Sequence, residues 1–311
     1  MPIHKKINIS RFYNSLTFSN TSVIKGTSPE RHRNETLWFA KAEKIIPDNI
    51  PKIFHVKKDN TKGTLSYYEM QRIDGNNLFE WLLNNKTTIK KDILMWFTLI
   101  EKLHTETKEV HKSDIFGMYY DKPSRALRNF LSTSMIDPDA IIINGQNMSN
   151  PIHIFESTYQ KLAHQLKDTR YSFIHGDSTL GNTLRSTNGR LYLIDPRGIF
   201  GSTRYYGDVR YDIAKMYFSL VGSFDSLNNE MYTLNENVGK SYSYHYSIKD
   251  QGFGEFGTQL IEFFSEDLDL IKYIHITIWI SLIPHMANNP KQQLCAFLHS
   301  TQLLNTLKNY E

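Results

Sequence analysis

The strongest constraint on the fold lies in residues 171–198, where three polar side chains stand at fixed places around short apolar runs. The apolar pair Phe173-Ile174 is followed by His175-Gly176-Asp177, and Asn182 comes five residues after Asp177. A turn then leads into the apolar run Leu191 to Ile194, which ends at Asp195. Because a proline and a glycine soon follow, Asp195 is predicted to stand at the end of a strand.

These side chains suit the chemistry of phosphate groups. Phosphoryl transfer needs one carboxylate that accepts a proton from the attacking hydroxyl, and oxygen ligands that hold magnesium on the phosphates. Asp177, Asn182 and Asp195 could fill these three positions. In the alternative interpretation, His175-Gly176-Asp177 forms a tight turn whose carboxylate caps a helix, and Asp195 only ends a strand. The ordered set of all three favours the phosphate chemistry.

The order of these residues resembles a known catalytic pattern. His175, Asp177 and Asn182 form the string H-x-D-x-x-x-x-N, and a strand-borne Asp follows, as in kinases. With Gly176 after the histidine, and with I-D-P-R-G in place of D-F-G, the stretch resembles the aminoglycoside phosphotransferase and choline kinase family. The resemblance implies that Asp177 is the catalytic base and that Asn182 and Asp195 bind Mg2+. His175 would then support the loop that carries Asp177.

A second motif of the same family follows. The string Tyr211-Asp212-Ile213-Ala214 opens an apolar helix and resembles the family motif whose Asp accepts hydrogen bonds from the backbone of the catalytic loop. Asp212 would thus be a supporting residue; an ordinary N-terminal helix carboxylate would be structural too. The segment from Asp195 to Asp212 is short and lacks the Ala-Pro-Glu with which protein kinases complete a peptide platform. The sequence therefore disfavours protein substrates.

The N-terminal part predicts short strands followed by one helix. The predicted strands are Lys6 to Ile9, Ser15 to Phe18 and Ser22 to Lys25. A Ser-Pro pair then begins a helix. Lys25 closes the third strand and Glu35 lies in the helix, which is the order of the phosphate-contacting lysine and its orienting glutamate in a kinase-like small lobe. Glu43, later on the helix, is the competing partner.

Two further strands are predicted at Pro51 to Val56 and Leu65 to Met70, and the end of the second resembles the family's connector to the adenine ring. By that resemblance, the carbonyl of Gln71 and the amide of Ile73 would contact the nucleotide, although Glu69 could take the place of Gln71. A Gly-x-Gly-x-x-Gly loop is missing between the first two strands. The phosphate-covering loop would then be Ser10 to Ser15 or the turn from Phe18 to Ser22.

Helical periodicity dominates from residue 76 onward, except in two regions. Residues 108–150 are predicted to be irregular, and residues 224–257 to form an aromatic flap or a long surface loop, with the string Gly252 to Gly257 as a loop. We therefore predict an α+β, two-lobed, protein kinase-like fold. Residues 1–73 would form the β-rich nucleotide-binding lobe, and residues 74–311 the larger, mainly helical catalytic and substrate-binding lobe.

Composition excludes several classes of partner. The net charge of +4 is spread along the 311 residues and gives no nucleic-acid footprint. A lone cysteine, Cys295, cannot form an intramolecular disulfide and indicates a reducing compartment. The N-terminus shows no secretory signal, and Leu270 to Ala287 is interrupted by polar residues, which predicts a buried helix rather than a membrane span. These features indicate a cytoplasmic protein without membrane or nucleic-acid partners.

Taken with the resemblance, the sequence predicts ATP-dependent transfer of the γ-phosphoryl group to a hydroxyl of a small molecule, with Mg2+. Arg197, with Arg204 and Arg210 close behind it, favours a neutral or anionic acceptor, such as a sugar or sugar phosphate, although these arginines can equally pair with Asp208 and Asp212. Choline or ethanolamine, and then aminoglycosides, are the alternative acceptors. A catalytically silent nucleotide-binding regulator of the same fold is the second alternative.

Overall fold

The computed structural model describes residues 15–57, 65–238, 242–264 and 267–307. Its strands are, in chain order, β1 Ser15–Phe18, β2 Ser22–Thr27, β3 Ile53–Lys57, β4 Ser66–Gln71, β5 Gly75–Asn77, β6 Ile141–Ile143, β7 Gln146–Asn147, β8 Tyr171–Phe173, β9 Thr183–Ser186, β10 Leu191–Leu193, β11 Ile199–Phe200, β12 Thr203–Arg204, β13 Tyr206–Asp208, β14 Tyr232–Val238 and β15 Tyr242–Ile248. The predicted strand from Lys6 to Ile9 and the candidate phosphate loop before Ser15 lie outside the described residues.

The helices lie between these strands and after them, in part as runs of consecutive helices. In chain order they are α1 Pro29–Ala42, α2 Leu78–Asn84, α3 Ile89–Glu101, α4 Lys112–Phe116, α5 Lys122–Ser134, α6 Pro151–Lys167, α7 Val209–Leu220, α8 Phe224–Asn228, α9 Gly254–Phe264, α10 Leu268–Leu282 and α11 Pro290–Thr306. A π-helical segment, Gly117–Asp121, joins α4 to α5, and 3-10 turns occupy Pro47–Asn49, Lys86–Thr88, Leu180–Asn182 and Ile283–Met286.

The chain folds into two compact units, and the first contains the N-terminal sheet. This unit comprises the described residues up to Lys108 together with Tyr171–Asp212. Its four-stranded sheet has the order β1-β2-β4-β3, and antiparallel pairing sets Lys25 opposite Tyr68. Helix α1 begins where the Ser28 side chain accepts a hydrogen bond from a backbone amide of the first turn. Its apolar side, including Trp38, is buried.

The rest of the first unit carries residues 171–208. Here β9 and β10 form a hairpin to which β5 adds a third strand, while β8 pairs with β13. The hairpin buries Leu191 and Leu193 on one face, as expected for alternation along a strand. Asp195 lies two residues after β10, so the predicted position just past a strand end is correct.

The second unit is built mainly from helices. It comprises Glu109–Arg170 and the described residues from Ile213 onward. Helix α10 is apolar on nearly every side and lies in its core, where Tyr273 Oη donates to the carbonyl of Tyr119 at 2.9 Å. This unit also has a four-stranded sheet of order β14-β15-β6-β7, in which β15 and β6 run parallel.

Two predictions for the second unit were wrong. Residues 108–150 are not irregular, because α4 and α5 occupy much of them. Residues 224–257 contain α8 and the β14-β15 hairpin instead of a loop, and α9 begins at Gly254 within the predicted glycine loop. Polar side chains on exposed faces concealed these elements from a search for apolar runs.

The α+β class is confirmed. The division into lobes at residues 1–73 and 74–311 stays a prediction. The two compact units are defined by how the chain packs, and this packing does not test which residues bind the nucleotide or the acceptor. Within the described ranges, none of the helices combines the length and apolar character that crossing a bilayer requires.

Candidate active site

A buried lysine joins two carboxylates in the first unit. Lys25 Nζ lies 2.9 Å from Glu35 Oε1 and 2.8 Å from Asp195 Oδ1. The Lys25 side chain is 1% exposed and that of Asp195 is 35% exposed, so the lysine is held inside while one side of the aspartate faces solvent. The structure therefore brings together the predicted lysine, its predicted glutamate and the strand-borne aspartate.

The charges of this cluster support each other. Burial lowers the pKa of the Lys25 ammonium, but the charges of Asp195 and Glu35 outweigh that effect and raise it overall. Burial likewise raises the pKa of the Asp195 carboxyl, and the neighbouring Lys25 ammonium more than reverses this, so the pKa falls below its usual value. The lysine is cationic and the aspartate is anionic at neutral pH.

Glu35 also holds two residues that the sequence did not single out. Tyr68 Oη donates to Glu35 Oε2 at 2.7 Å, and Arg31 Nε donates to Glu35 Oε1 at 2.8 Å. Arg31 precedes Glu35 by four residues in α1, a spacing that places both side chains on one helix face. That spacing was visible in the sequence, whereas Tyr68 could be found only by knowing that β2 pairs with β4.

The loop that carries Asp177 is closed by Asn182. The Asn182 side-chain nitrogen donates to the backbone carbonyl of Asp177 at 2.9 Å and to its Oδ2 at 2.9 Å. Gly176 has a φ of 75° and Asp195 a φ of 55°, both in the left-handed region. Backbone of this kind is strained in a non-glycine residue and is concentrated at functional sites.

Asp212 binds the backbone of the same loop. Its two carboxylate oxygens accept hydrogen bonds from the amides of His175 at 2.8 Å and Gly176 at 2.7 Å. His104 Nε2 lies 3.1 Å from Asp212 Oδ2. Burial raises the pKa of the Asp212 carboxyl, but His104 and the other hydrogen bonds lower it overall, so Asp212 is an anion that holds the loop.

His175 lies inside the loop rather than at its surface. Its side chain is fully buried, and Nε2 is 3.0 Å from the carbonyl of Ile194, next to Asp195. Burial lowers the pKa of His175 despite the nearby carboxylates, which makes it a neutral ring at pH 7. His175 thereby connects the segment that carries Asp177 to the segment that carries Asp195.

Helix α1 is attached directly to this stretch. Trp38 Nε1 donates to the carbonyl of Ile174 at 2.8 Å, and its ring stacks on Phe173 with centroids 5.3 Å apart. Gly198 comes so close to α1 that an added Cβ would lie 2.7 Å from the backbone oxygen of Asn34. These contacts hold the helix that carries Glu35 against the segment that carries Asp195.

Comparison with solved structures identifies the fold. A variant of aminoglycoside 2'-phosphotransferase IIIa in complex with GDP matches with a TM-score of 0.60 and 14% sequence identity, over 99% of this chain and 93% of that one. A thermostable variant of APH(4)-Ia in ternary complex with AMP-PNP and hygromycin B has a TM-score of 0.60 and 10% identity, over 97% and 93% of the two chains. The streptomycin-ATP complex of APH(2")-IIa matches at 0.56 and 16%, over 97% and 90%.

The chain has the fold of the aminoglycoside phosphotransferases. This confirms the predicted protein kinase-like, α+β fold. No protein-family model matches the sequence, and no curated protein matches it either. Because the sequence identities are low, the similarity to aminoglycoside phosphotransferases concerns the fold, and the roles of individual residues depend on the geometry above.

The arginines after Asp195 have different partners in this aminoglycoside phosphotransferase fold. Arg210 is buried against Asp208, with Nη2 to Oδ2 at 2.8 Å, so it is structural. Arg204 is exposed in β12. Arg197 packs its aliphatic stem against Gly176 and donates from Nη1 to Tyr211 Oη at 2.8 Å. Of the two predicted acceptor contacts, Arg197 is therefore the one beside the loop that carries Asp177.

The side-chain oxygen atoms of Asn182 and Asp195 are chemically suited to bind a magnesium ion. Because the Asn182 nitrogen donates to Asp177, its amide oxygen is the atom left for a cation. Asp195 uses Oδ1 for Lys25, and no other described residue hydrogen-bonds its carboxylate. Mg2+ prefers oxygen ligands, and it binds through one or two protein groups together with phosphates and water. Asn182 and Asp195 are suited to hold it.

The adenine contacts stay a prediction. Gln71 ends β4, and its backbone amide donates to the carbonyl of Lys52 at 2.8 Å. Ile73 follows two residues later and is half-buried. The turn from Phe18 to Ser22 is closed by a hydrogen bond from the amide of Ser19 to the carbonyl of Ser22 at 2.9 Å. Neither segment identifies which backbone groups contact a nucleotide.

Proposed function

We propose that this protein is an ATP-dependent small-molecule kinase that transfers the γ-phosphoryl group to a hydroxyl. The observation that carries the proposal is the position of Lys25 Nζ between Glu35 and Asp195, at 2.9 and 2.8 Å. A buried cation with one exposed carboxylate beside it is suited to nucleotide phosphates and their metal. The aminoglycoside phosphotransferase fold, with nucleotide complexes among its members, supports the same activity.

The proposed chemistry uses each group once. The acceptor oxygen attacks the γ-phosphorus, Asp177 takes the hydroxyl proton, and the bond to the bridging oxygen of ADP breaks. Lys25 binds the inner phosphates and is oriented by Glu35. Asn182 and Asp195 would hold Mg2+, which would supply neutralisation of the negative charge on the phosphates. Catalysis then comes from positioning and charge, and Asp212 keeps the loop of Asp177 in place.

A sugar or sugar phosphate is the proposed acceptor. A cationic acceptor needs carboxylates that are free to bind it. In the described part of the first unit, Asp208 is paired with Arg210, and Asp212 is bound to backbone amides and His104. The stem of Arg197 packs against Gly176, so this arginine adds a positive charge near the loop that carries Asp177. This arrangement favours neutral or anionic acceptors over choline, ethanolamine and aminoglycosides, and we propose a cytoplasmic location for the reaction.

The test is ATP turnover by the full chain with a panel of sugars, sugar phosphates, amino alcohols and aminoglycosides. Product is detected as phosphorylated acceptor, and Asp195→Ala is the matched inactive variant because it removes one metal ligand. We expect turnover with a sugar or sugar phosphate that this variant loses. Turnover with only an amino alcohol or an aminoglycoside would replace the acceptor class but keep the kinase activity. Tight ATP binding without any product would indicate a silent regulatory protein.

A further inference from the structure

Arg31 contacts Glu35 in the candidate site, and the proposed reaction assigns it no role. It lies in the first turn of α1, and its guanidinium donates from Nε to Glu35 Oε1 at 2.8 Å while 47% of the side chain remains exposed. Among the described residues, Glu35 is the only hydrogen-bond partner of this guanidinium. Nε is thus fixed by Glu35, and the described residues provide no hydrogen-bond partner for the two terminal nitrogens.

The anchor itself is rigid. Glu35 is fully buried and accepts from Lys25, Tyr68 and Arg31 at distances between 2.7 and 2.9 Å. Its carboxylate is therefore a fixed point shared by the two cations. Because Lys25 also contacts Asp195, the guanidinium of Arg31 is linked to the proposed metal ligand by three successive contacts, through Glu35 and Lys25.

The electrostatics indicate which end of the site Arg31 faces. Burial lowers the pKa of its guanidinium, but the charges of Glu35 and Asp195, with a further contribution from Asp177, raise it overall. Arg31 is thus within electrostatic reach of the proposed base as well as the proposed metal ligand. In the proposed reaction Asp177 acts where the terminal phosphate is transferred, so the charge of Arg31 would act on that phosphate as well.

We propose that Arg31 binds the γ-phosphate of the nucleotide with its two terminal nitrogens, and this rests on the proposed function. Guanidinium matches phosphate by paired hydrogen bonds, and its rigid fork keeps this geometry better than an ammonium does. The sequence has no Gly-x-Gly-x-x-Gly loop between its first two strands. A side chain held by Glu35 replaces part of the phosphate contact that backbone amides of such a loop supply.

The alternative is a helix ion pair. Residues four apart in a helix attract each other weakly, by about 0.2–0.5 kcal/mol, and an exposed arginine needs no other purpose. A helix pair alone predicts that removing Arg31 changes the affinities for all adenine nucleotides equally or leaves them unchanged. A γ-phosphate contact predicts a loss for ATP alone.

The experiment is calorimetric titration of the full chain with ATP, ADP and AMP in the presence of Mg2+. It compares the parent with Arg31→Gln and Arg31→Lys, and uses Arg33→Gln as the matched control, because Arg33 is an exposed arginine of the same helix. We expect Arg31→Gln to weaken ATP binding about tenfold or more, the scale of a charged hydrogen bond, and AMP binding less than about twofold. Arg31→Lys keeps the charge without the fork and should give an intermediate loss.

The outcomes separate this inference from the proposed function. If the parent binds no nucleotide, the kinase proposal fails, and the Arg31 contact fails with it. If the parent binds ATP but Arg31→Gln and Arg31→Lys retain the ratio of ATP to ADP affinity, only the Arg31 contact is wrong. A selective loss of ATP affinity that Arg33→Gln does not reproduce supports it.

Discussion

Lys25 is almost completely buried, and its charge is tolerated because two carboxylates meet it. A buried ammonium without partners would lose its proton or destabilise the fold. Here Glu35 and Asp195 lie within 2.9 Å on either side, so the cation is retained. The arrangement is a fixed charge at the place where nucleotide phosphates are proposed to bind, and it exists before any ligand arrives.

At the scale of single residues, the substitution Asp177→Asn tests whether Asp177 is the catalytic base. The change keeps the shape of the side chain and an oxygen that can accept from Asn182, so folding and nucleotide affinity should be unchanged. Turnover should fall by roughly 10² or more, because the variant cannot take the hydroxyl proton. The measurement is kcat with the best acceptor of the panel, and Asp168→Asn, at an exposed helix end, is the control. Unchanged turnover would remove Asp177 from the mechanism.

Sequence spacing was most informative at the residue scale. It paired Lys25 with Glu35 ahead of Glu43, and the two side chains are in contact. The same helix spacing would have found Arg31. Tyr68 was out of reach, because its position opposite Lys25 depends on strand pairing across a long stretch of chain. The roles of these residues remain predictions.

At the scale of elements, Gly198 decides how α1 meets the catalytic stretch. It has a φ of 66° and no room for a Cβ, since the backbone oxygen of Asn34 would be 2.7 Å away. The helix and the segment after Asp195 therefore meet backbone to backbone. A side chain at this position would push Glu35 away from Lys25.

We predict that Gly198→Ala lowers the free energy of unfolding by about 2–4 kcal/mol, because left-handed strain and overpacking add together. Gly189→Ala is the matched control: its φ is 86°, but the nearest atom to an added Cβ is 3.6 Å away, at the end of the Arg185 side chain. The control should show the strain alone. Denaturant unfolding of both variants measures the difference, and equal losses would contradict a close approach.

Histidines in the helical unit give a second prediction for elements. His275 accepts from Trp279 Nε1 at 2.9 Å, and the Trp279 ring meets His299 with centroids 4.6 Å apart. Burial lowers the pKa of His299 to about 4. The unfolded chain binds this proton near pH 6.5, so acid favours unfolding as the pH falls from that value towards 4.

His299 should therefore remove about 2 kcal/mol of stability between about pH 7 and about pH 5. Denaturant unfolding at the two pH values should show this loss in the parent and a smaller loss in His299→Gln. His245→Gln, at an exposed histidine of β15, is the control. The same pH dependence in the parent and His299→Gln would mean that His299 is protonated in the folded state.

Elements in the helical unit were harder to predict than those around the site. Strand β15 carries tyrosines at the alternate positions 242, 244 and 246, and Tyr244 and Tyr246 are buried. That alternation predicts a strand, but the polar residues between the tyrosines concealed it. The partner strand β6 lies far away in the sequence, and a parallel pair has no local turn signal that would reveal it.

For the whole molecule, nucleotide binding should appear as stability. A ligand that binds only the folded state adds about 2.7 kcal/mol at one hundred times its dissociation constant. We expect ATP with Mg2+ to raise the Tm of the parent, and EDTA to reduce the increase because Asn182 and Asp195 then hold no metal. Asp195→Ala should show a much smaller increase under both conditions.

Thermal scans with ATP, with ATP and Mg2+, and with ATP and EDTA measure this effect. Asp139→Ala is the control, since Asp139 is exposed. An increase in Tm that is identical with and without EDTA would contradict the metal assignment, while no increase at all would contradict nucleotide binding.

The attachment of α1 has a regulatory consequence. Trp38 hydrogen-bonds the carbonyl of Ile174, and Gly198 lies against the backbone of α1. Moving Glu35 away from Lys25 would therefore disrupt the packing of the first unit. Protein kinases that are switched by displacing the corresponding helix need that helix to be able to move relative to the catalytic segment. In this protein, displacing α1 would break the hydrogen bond from Trp38 to Ile174 and the backbone contact at Gly198, so a switch that worked by moving this helix would have to disrupt the packing of the first unit.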